Sequence, residues 1–536
     1  MTTFSPSIDP ANGDTGTVGS ARIASTLTDV WCAVLSVQAV QPFDNFFEIG
    51  GNSLSALRLL ARLREHDVVL RLSDLLEAPQ FGALLSRAQA AEPEECAQPG
   101  GSPQRLPLLP IQLRTLARDR VNPHHHNDDA IVGVPPGTSV SELVTAISLL
   151  VDHHPVLRSR FHLVEHEEWQ ETGHFPDVGD LVETVEIPNG DHEAVTRLGR
   201  TTHESLDLTR GKVAAFRILT QQSEPWALIA VVHHLVCDGM SWEILVSDLG
   251  RALTAVREGT RPVLTPHTDY ATWARFLAEY AAGPDVLGQI PYWRERPWHL
   301  VADGLALKCR RSSQTLTEVQ RVTSLVHIGD PPDASDATVS PLSEGLLLGA
   351  LNYALHIVRG LEATLVDVVI NGRDQIPDAP DVSRTVGWLA ETTPVITHLG
   401  AAREVAEILQ TTVAQLSEVP APRLAFGCLA HLTPDRGIRA EFRSLRAADV
   451  YLNYRGAGRT DAGSDPLPHL PYSLGPAQCP QERPPYPLKV VCDLDGGDLV
   501  VQWRCSPDAF SRAEIDLLAD SFAEAMRVGL LERPVV

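Results

Sequence analysis

The sequence predicts a small helical bundle followed by a larger region of mixed α/β structure, with a linker between them. Three observations carry this. Apolar residues recur at helical spacing between residues 21 and 88. The stretch after them, "AEPEECAQPGGSPQRLP" at 91–107, is polar and rich in proline and glycine. Beyond it, β-branched runs alternate with amphipathic helices. At 536 residues the chain is too long for one ordinary core. The expected divisions are a disordered leader over 1–20, a helical unit over 21–88, a linker over 89–105, and two α/β lobes over 106–280 and 281–536.

The leader, "MTTFSPSIDPANGDTGTVGS", has neither a basic start nor an apolar core, so it does not read as a secretory signal, and its Gly/Ser/Thr/Asp content suggests disorder. In the helical unit, Ile23, Leu27, Val30, Trp31 and Leu35 share one face, as do Leu54, Leu57, Leu60 and Leu63 of "LSALRLLARLREHD". "LSDLLEAPQFGALLSRAQAA" adds two short helices broken near Pro79. In the α/β region a helix from Val140 to His153 runs into a strand. "WALIAVVHHLV" is a strand by its length and by its Ile229, Val231 and Val232. "SWEILVSDLGRALTAVREG" is a helix with Trp242, Leu245, Leu249 and Ala252 on one face, Gly259 at its end, and Asp238 or Ser241 as N-cap. A Pro/Gly-interrupted stretch over 283–297 precedes a second lobe. That lobe holds the helix "SEGLLLGALNYALHIVRG", the strand "ATLVDVVING" and a hairpin turning at Asp495-Gly496-Gly497.

Composition narrows the function. A net charge of −24 argues against nucleic acid or an anionic membrane as partner, since both need basic patches. No apolar run approaches the roughly 18 residues that cross a bilayer. The eight cysteines are scattered without a CxxC pair, which favours reduced thiols in a cytoplasmic protein over disulfides or a zinc site.

"FDNFFEIGGNSLSALRLLARL" sets Ser53 after a Gly-Gly-Asn turn, at the start of an amphipathic helix. The turn leaves the hydroxyl accessible, and a helix N-terminus suits an attached phosphodiester; the same position also suits a plain N-cap. "DNFFEIGGNSLSALRL" closely resembles the core of the peptidyl carrier proteins of nonribosomal peptide synthetases. The resemblance implies a four-helix carrier whose Ser53 bears 4′-phosphopantetheine, the thiol holding an aminoacyl group as a thioester. It also implies a phosphopantetheinyl transferase and an adenylation enzyme as partners. With no adenylation signature in the chain, loading is expected in trans, and other synthetase carriers or modules are possible partners.

"HHLVCDGMSW" (233–242) ends a strand with two imidazoles and an acid. Imidazole is the side chain best suited to proton exchange near neutral pH. Clustered histidines also occur in "NPHHHND" (122–128) and "DHHP" (152–155), yet the spacings match no usual zinc site, so no metal is expected. The stretch resembles the HHxxxDG motif of the condensation-domain superfamily, and the resemblance covers about 104–530. It implies an α/β fold of two chloramphenicol-acetyltransferase-like lobes around a central tunnel. His234 matches the catalytic histidine, His233 and Asp238 match supporting positions, and Gly239 matches the motif's last glycine. Arg373 and Arg384 are both candidates to pair with Asp238.

"NPHHHNDD", "DHHPVLRSRF", "VSRTVGWLAETTPV" (382–395) and "YLNYRGAG" (451–458, with Asn453) resemble the epimerisation branch, which removes and returns the Cα proton of a carrier-bound aminoacyl thioester. The chain departs from that branch in one decisive place. The segment that reads E-G-H-G-R-E in the family is here Val369 to Asp374, so the catalytic glutamate has become Val369, which transfers no proton. Asp374 and Glu391 are the nearest acidic stand-ins in sequence. "LLPIQLRTLA" lacks the Trp-Phe that follows Pro-Ile-Gln in the family, and "PAPRLAFG" (420–427) has Arg423 and Ala425 where the family has glycines, and Phe426 for its tyrosine. The expectation is a stand-alone carrier–condensation didomain doing His-dependent acyl transfer to an amine or hydroxyl. The alternatives are an epimerase and a non-catalytic platform that recruits a tailoring enzyme.

Overall fold

The structure, a computed structural model, describes residues 15–35, 37, 39–47, 49, 51, 53–66, 68–70, 72–90, 104–118, 120–164, 168–173, 177–301, 315–328, 343–373, 376, 379–457, 467–495 and 497–531. The chain divides into two compact units near residue 94.

The first unit is the helical one. Its helices are Thr15–Leu35, Ser53–Glu65, Leu72–Glu77 and Phe81–Arg87, and a short antiparallel pair joins β1 (Val68–Val69) to β2 (Gln89–Ala90). Trp31 is its centre, with Phe46 and Phe81 edge-on at 5.0 and 5.3 Å. Leu27, Leu60, Leu63 and Leu84 close around it; the side chains of Leu54 and Leu57 lie outside the described residues. Two boundaries differ from expectation. Residues 15–20 are helical, so the leader expected over 1–20 is shorter. A nucleated helix propagates at little cost per residue, and Gly/Ser/Thr content alone does not stop it. The linker expected over 89–105 is also shorter, since β2 takes up 89–90 and a strand begins at Gln104.

The second unit holds strands β3 (Gln104–Leu106), β4 (Asn127–Gly133), β5 (Ser159–His162), β6 (Trp169–Thr172), β7 (Val182–Glu186), β8 (Ala214–Gln221), β9 (Glu224–His233), β10 (Gln320–His327), β11 (Ala363–Ile370), β12 (Glu391–His398), β13 (Val450–Ala457), β14 (Leu488–Asp495) and β15 (Asp498–Cys505). Among the described residues they form a three-stranded sheet β3-β6-β5, a four-stranded sheet β4-β9-β8-β7, and a six-stranded sheet β10-β15-β14-β13-β11-β12. β9 is buried almost throughout because both faces are covered, which is why it reads as a continuous apolar run.

The helices Glu344–Arg359 and Arg512–Leu531 cover one face of the six-stranded sheet, burying Val366, Val368, Leu488, Val490 and Cys492. Strand side chains alternate, so Asp367, Val369, Tyr451, Asn453 and Lys489 belong to the other face. That face turns towards the first lobe, and it carries half of the site. The lobe boundary expected at 280/281 falls too early. The Pro/Gly-interrupted stretch is two short helices, Pro284–Leu287 and Ile290–Glu295, whose Val286 and Trp293 belong to the first lobe's core. Leu424, Cys428 and Phe442 return to that same core.

Candidate active site

β9 ends at His233, a single 3₁₀ turn carries His234–Val236, and Asp238 caps the helix Gly239–Arg257 by accepting from the Ser241 N–H. The two histidines have opposite fates. His233 is buried, with Nε2 donating to the Pro123 carbonyl at 2.9 Å and Nδ1 accepting from the Leu235 N–H at 3.1 Å. Burial pushes its pKa down to about 3, so the ring is neutral and fully engaged. His234 is partly exposed, and its Nδ1 lies 2.6 Å from the Cys237 carbonyl and 3.3 Å from an Asp128 carboxylate oxygen. A carbonyl only accepts, so Nδ1 carries the hydrogen and Nε2 keeps its lone pair. The ring stacks on Trp388 at 4.2 Å and 13°, while His126 meets it edge-on at 5.1 Å. Gln112 holds the next residue by donating to the Leu235 carbonyl at 2.7 Å.

Asp238 does not face a substrate. Arg373 binds it through two nitrogens at 2.7 and 2.8 Å, the Ser241 hydroxyl donates at 2.8 Å, and the Leu389 and Ala390 N–H groups donate at 3.0 and 3.3 Å. Burial alone would raise its pKa, but the Arg373 charge and these donors outweigh it and hold the carboxyl below its ordinary value. The loop is thereby pinned to the segment between β11 and β12. Arg384, the other candidate, binds Asp248 instead at 2.5 Å. We expect Arg373→Met to cost about 3–5 kcal/mol in urea unfolding, because a buried carboxylate loses its counter-charge. Adding Asp238→Asn should recover at least half. A loss under about 1 kcal/mol would show that the loop is held by other means.

Gly239 is exposed, has no positive φ, and a Cβ there would meet nothing within 4 Å. The folded chain itself gives no steric reason for glycine there.

Val369 is half-buried on β11, opposite Thr392. Asp367, two residues earlier on the same face, is occupied: Arg114 is 3.2 Å away and the Tyr486 hydroxyl donates to it at 2.7 Å. Arg114, from the segment that lacks the Trp-Phe, thus makes an ion pair between the lobes. Glu391 is the register partner of Ile370, leaves its strand on the side away from Val369, and sits beside Gly427 and Pro110. Burial raises its pKa to about 7 despite Arg114 at 3.9 Å. It is therefore a buried acid of the core, not a stand-in beside Val369. Asp374 lies outside the described residues. Asn453 is on β13, where it hydrogen-bonds the Tyr451 phenol.

Glu391 yields a pH prediction. A carboxyl whose folded pKa is raised takes up a proton on folding between its unfolded and folded values. Its favourable state is therefore full below about 4.5 and is lost as the pH rises through about 7. At pH 8 the penalty is on the order of 3 kcal/mol. Glu391→Gln should thus raise the melting temperature at pH 8 and leave it nearly unchanged at pH 5.

His153, His154 and Asp248 bring possible ligand atoms within 4.8 Å of one another, with the His267 ring alongside at 4.7–4.8 Å. Asp248 is already matched by Arg384 and by His154 at 2.9 Å. Burial also holds His153 near 4 and lowers His267, so these two imidazoles pack around a satisfied ion pair. It ties the helix Val140–His153 to the segment before β12.

In the first unit, Ser53 is the first residue of its helix. Two residues earlier, the Gly51 N–H donates to the Phe46 carbonyl at 2.8 Å, and a Cβ on Gly51 would sit 2.3 Å from the Phe46 ring. The turn is thus drawn tightly onto the core by a residue that must be glycine, and the serine begins the helix beyond it. That placement fits an attached phosphodiester at a helix N-terminus.

Comparison with known proteins identifies both units. Residues 102–530 match the Condensation domain and residues 25–87 match the Phosphopantetheine attachment site. The chain belongs to the condensation-domain family. Its carrier unit is a phosphopantetheine-attachment domain, so a covalently attached phosphopantetheine is its cofactor. The whole is a nonribosomal-peptide-synthetase carrier followed by a two-lobed condensation-superfamily domain. A linear gramicidin synthase polypeptide of Brevibacillus parabrevis is 26% identical over 96% of this chain, and bacitracin synthase 3 of Bacillus licheniformis is 26% identical over 94%. The chain spans 10% and 8% of those two proteins. Among solved structures, the epimerization domain from the third module of tyrocidine synthetase B has a TM-score of 0.69 at 20% identity, covering 82% of this chain and 98% of that one. The starter condensation domain of rhizomide synthetase has a TM-score of 0.57 at 15% identity, covering 80% and 97%. These likenesses establish the fold.

Within this condensation-type site, sequence reasoning missed Asp128, Trp388, Arg118 and Lys489. Asp128 and Trp388 stood in quoted motifs but had no assigned contact. Lys489 gave a legible signal: one charged residue between Leu488 and Val490, at the position that alternation sends away from the core.

Proposed function

We propose that this chain transfers an acyl group from a carrier-bound thioester to an amine or hydroxyl acceptor, with His234 as proton acceptor and Ser53 as the attachment point of the arm. The observation that carries the reading is the one-sidedness of the site. His234 presents an open Nε2, while the residue matching the epimerisation glutamate is Val369.

When bound, the arm supplies an acyl carbon activated as a thioester. His234 Nε2 takes the proton of the attacking N–H or O–H. The Cys237 carbonyl fixes the tautomer, Trp388 fixes the plane of the ring, and Asp128 meets the positive charge that forms. Gly239 begins a 19-residue helix and leaves open space at its positive end, where negative charge developing on a carbonyl oxygen is favoured. Asp238 and Arg373 only hold the loop. Epimerisation needs a second proton-transfer group on the opposite side of Cα; Asp367 is paired with Arg114 and Tyr486, and Glu391 leaves its strand on the side away from Val369.

A phosphopantetheinyl transferase and an adenylation enzyme are the partners this reading requires, with other carriers as further donors or acceptors. Cys32, Cys237, Cys428, Cys479, Cys492 and Cys505 are reduced thiols, and among the described residues no helix is long and apolar enough to cross a membrane. The thiols suit the cytoplasm.

The test is to load the carrier with a panel of L-aminoacyl groups in deuterated buffer. Cα should take up no deuterium, and product should form only when an acceptor is added. Rapid His234-dependent washout of the Cα proton would replace this reading with epimerisation.

A further inference from the structure

The inner face of the six-stranded sheet carries cations that no nearby carboxylate matches. Lys489 is the register partner of Tyr451, and its Nζ lies 4.6 Å from the Tyr451 ring centroid. Arg118, from the first lobe, sits 5.6 Å over the Tyr486 ring, and the two tyrosines touch at 5.1 Å. Two cations thus cap a contiguous pair of rings, one from each lobe. Of their neighbours, Arg114 pairs with Asp367, Arg455 with Asp493 at 2.6 Å and Arg120 with Glu482 at 3.2 Å, while Arg504, the register partner of Lys489, donates to Gln502 at 3.1 Å. Among the described residues, neither Lys489 nor Arg118 has a carboxylate within ion-pair distance. A net charge of −24 makes two unmatched cations on one wall a local exception.

Lys489 is half-buried. Burial, with Arg504, Arg455 and Arg118 nearby, lowers its pKa to about 8, while Asp128 pulls the other way. Asp128 is also the carboxylate beside His234, so the Lys489 ammonium and the His234 ring share one acidic neighbour. Stacked and partly desolvated cations of this kind recognise anions.

We infer that Lys489 and Arg118 form a carboxylate-binding wall, so that the group transferred at His234, or the acceptor that receives it, carries a carboxylate. The inference rests on the acyl-transfer reading for what becomes of the bound molecule, but binding itself can be measured without turnover.

The experiment uses the full chain with His234→Ala and follows binding by calorimetry with phosphate-free probes. One arm compares pantetheine thioethers ending in a butanoate or a butyl group; the other compares L-alanine with L-alaninamide. In at least one arm the carboxylate probe should bind tenfold or more tighter than its twin without the carboxylate. Lys489→Met should erase that preference and leave the butyl thioether's affinity unchanged, and Lys489→Arg should keep part of it. The arm that responds identifies the source of the carboxylate. No preference in either arm, or a preference that survives both Lys489→Met and Arg118→Met, overturns the inference. A preference without His234-dependent transfer in the unmutated chain removes the acyl-transfer reading and leaves the wall standing; transfer without a preference does the reverse.

Discussion

Incubated with coenzyme A and a broad phosphopantetheinyl transferase, the unmutated chain should gain the mass of one phosphopantetheine, and Ser53→Ala should gain none. The expectation is all-or-none because the modification consumes a single hydroxyl. Ser55, the other serine of that helix, is buried. The turn is also fixed against the core, since Gly51 is pressed against the Phe46 ring and the helix starts at Ser53. Gly51→Ala offers an internal control: its Cβ would displace the Phe46 ring, so labelling should fall together with the unit's thermal stability. Ser53→Ala should leave that stability within about 0.5 kcal/mol if the serine contributes only a cap. An unmodified wild-type chain with a folded carrier would remove Ser53 from the site.

The carrier turn and the histidine loop were legible because their chemistry is local: Gly-Gly-Asn-Ser before an amphipathic run, two imidazoles at a strand end, an aspartate in capping position. What joins the two lobes was not. Arg373 and Arg384 lie eleven residues apart on one connection, and no periodicity says which reaches Asp238; the structure sends one to Asp238 and the other to Asp248. Glu391 read as a spare acid because the sequence gives its distance from Val369 along the chain but not its register, which sets it opposite Ile370. Arg114 carried no reading in the sequence; its place is set by Asp367, 253 positions away, at 3.2 Å. Pairings across sheets and lobes are long-range facts, and a single sequence encodes them only as isolated charges in apolar runs.

His234→Ala should lower acyl transfer by about 10²–10⁴-fold, the usual loss when a positioned general base is removed. Stability should hardly change. The side chain is partly exposed, its Nδ1 bond is to a carbonyl that water can satisfy, and the loop is anchored by Asp238 and Arg373, not by the ring. Asp128→Asn should act through His234: it keeps the shape of the side chain, removes the charge that meets an imidazolium, and should lower turnover less than His234→Ala does while leaving binding of the loaded thioester intact. The pair of variants separates an enzyme from a platform that merely recruits another protein to the carrier. A platform needs the surface and not the base, so it would yield equal product from His234→Ala and the wild type. A ring stacked at 4.2 Å on Trp388, with its tautomer set by the Cys237 carbonyl and its Nε2 left open, is arranged for proton transfer. That arrangement is why the large loss is expected from the histidine alone, and why the two variants should differ in kind: one removes the acceptor of the proton, the other retunes it.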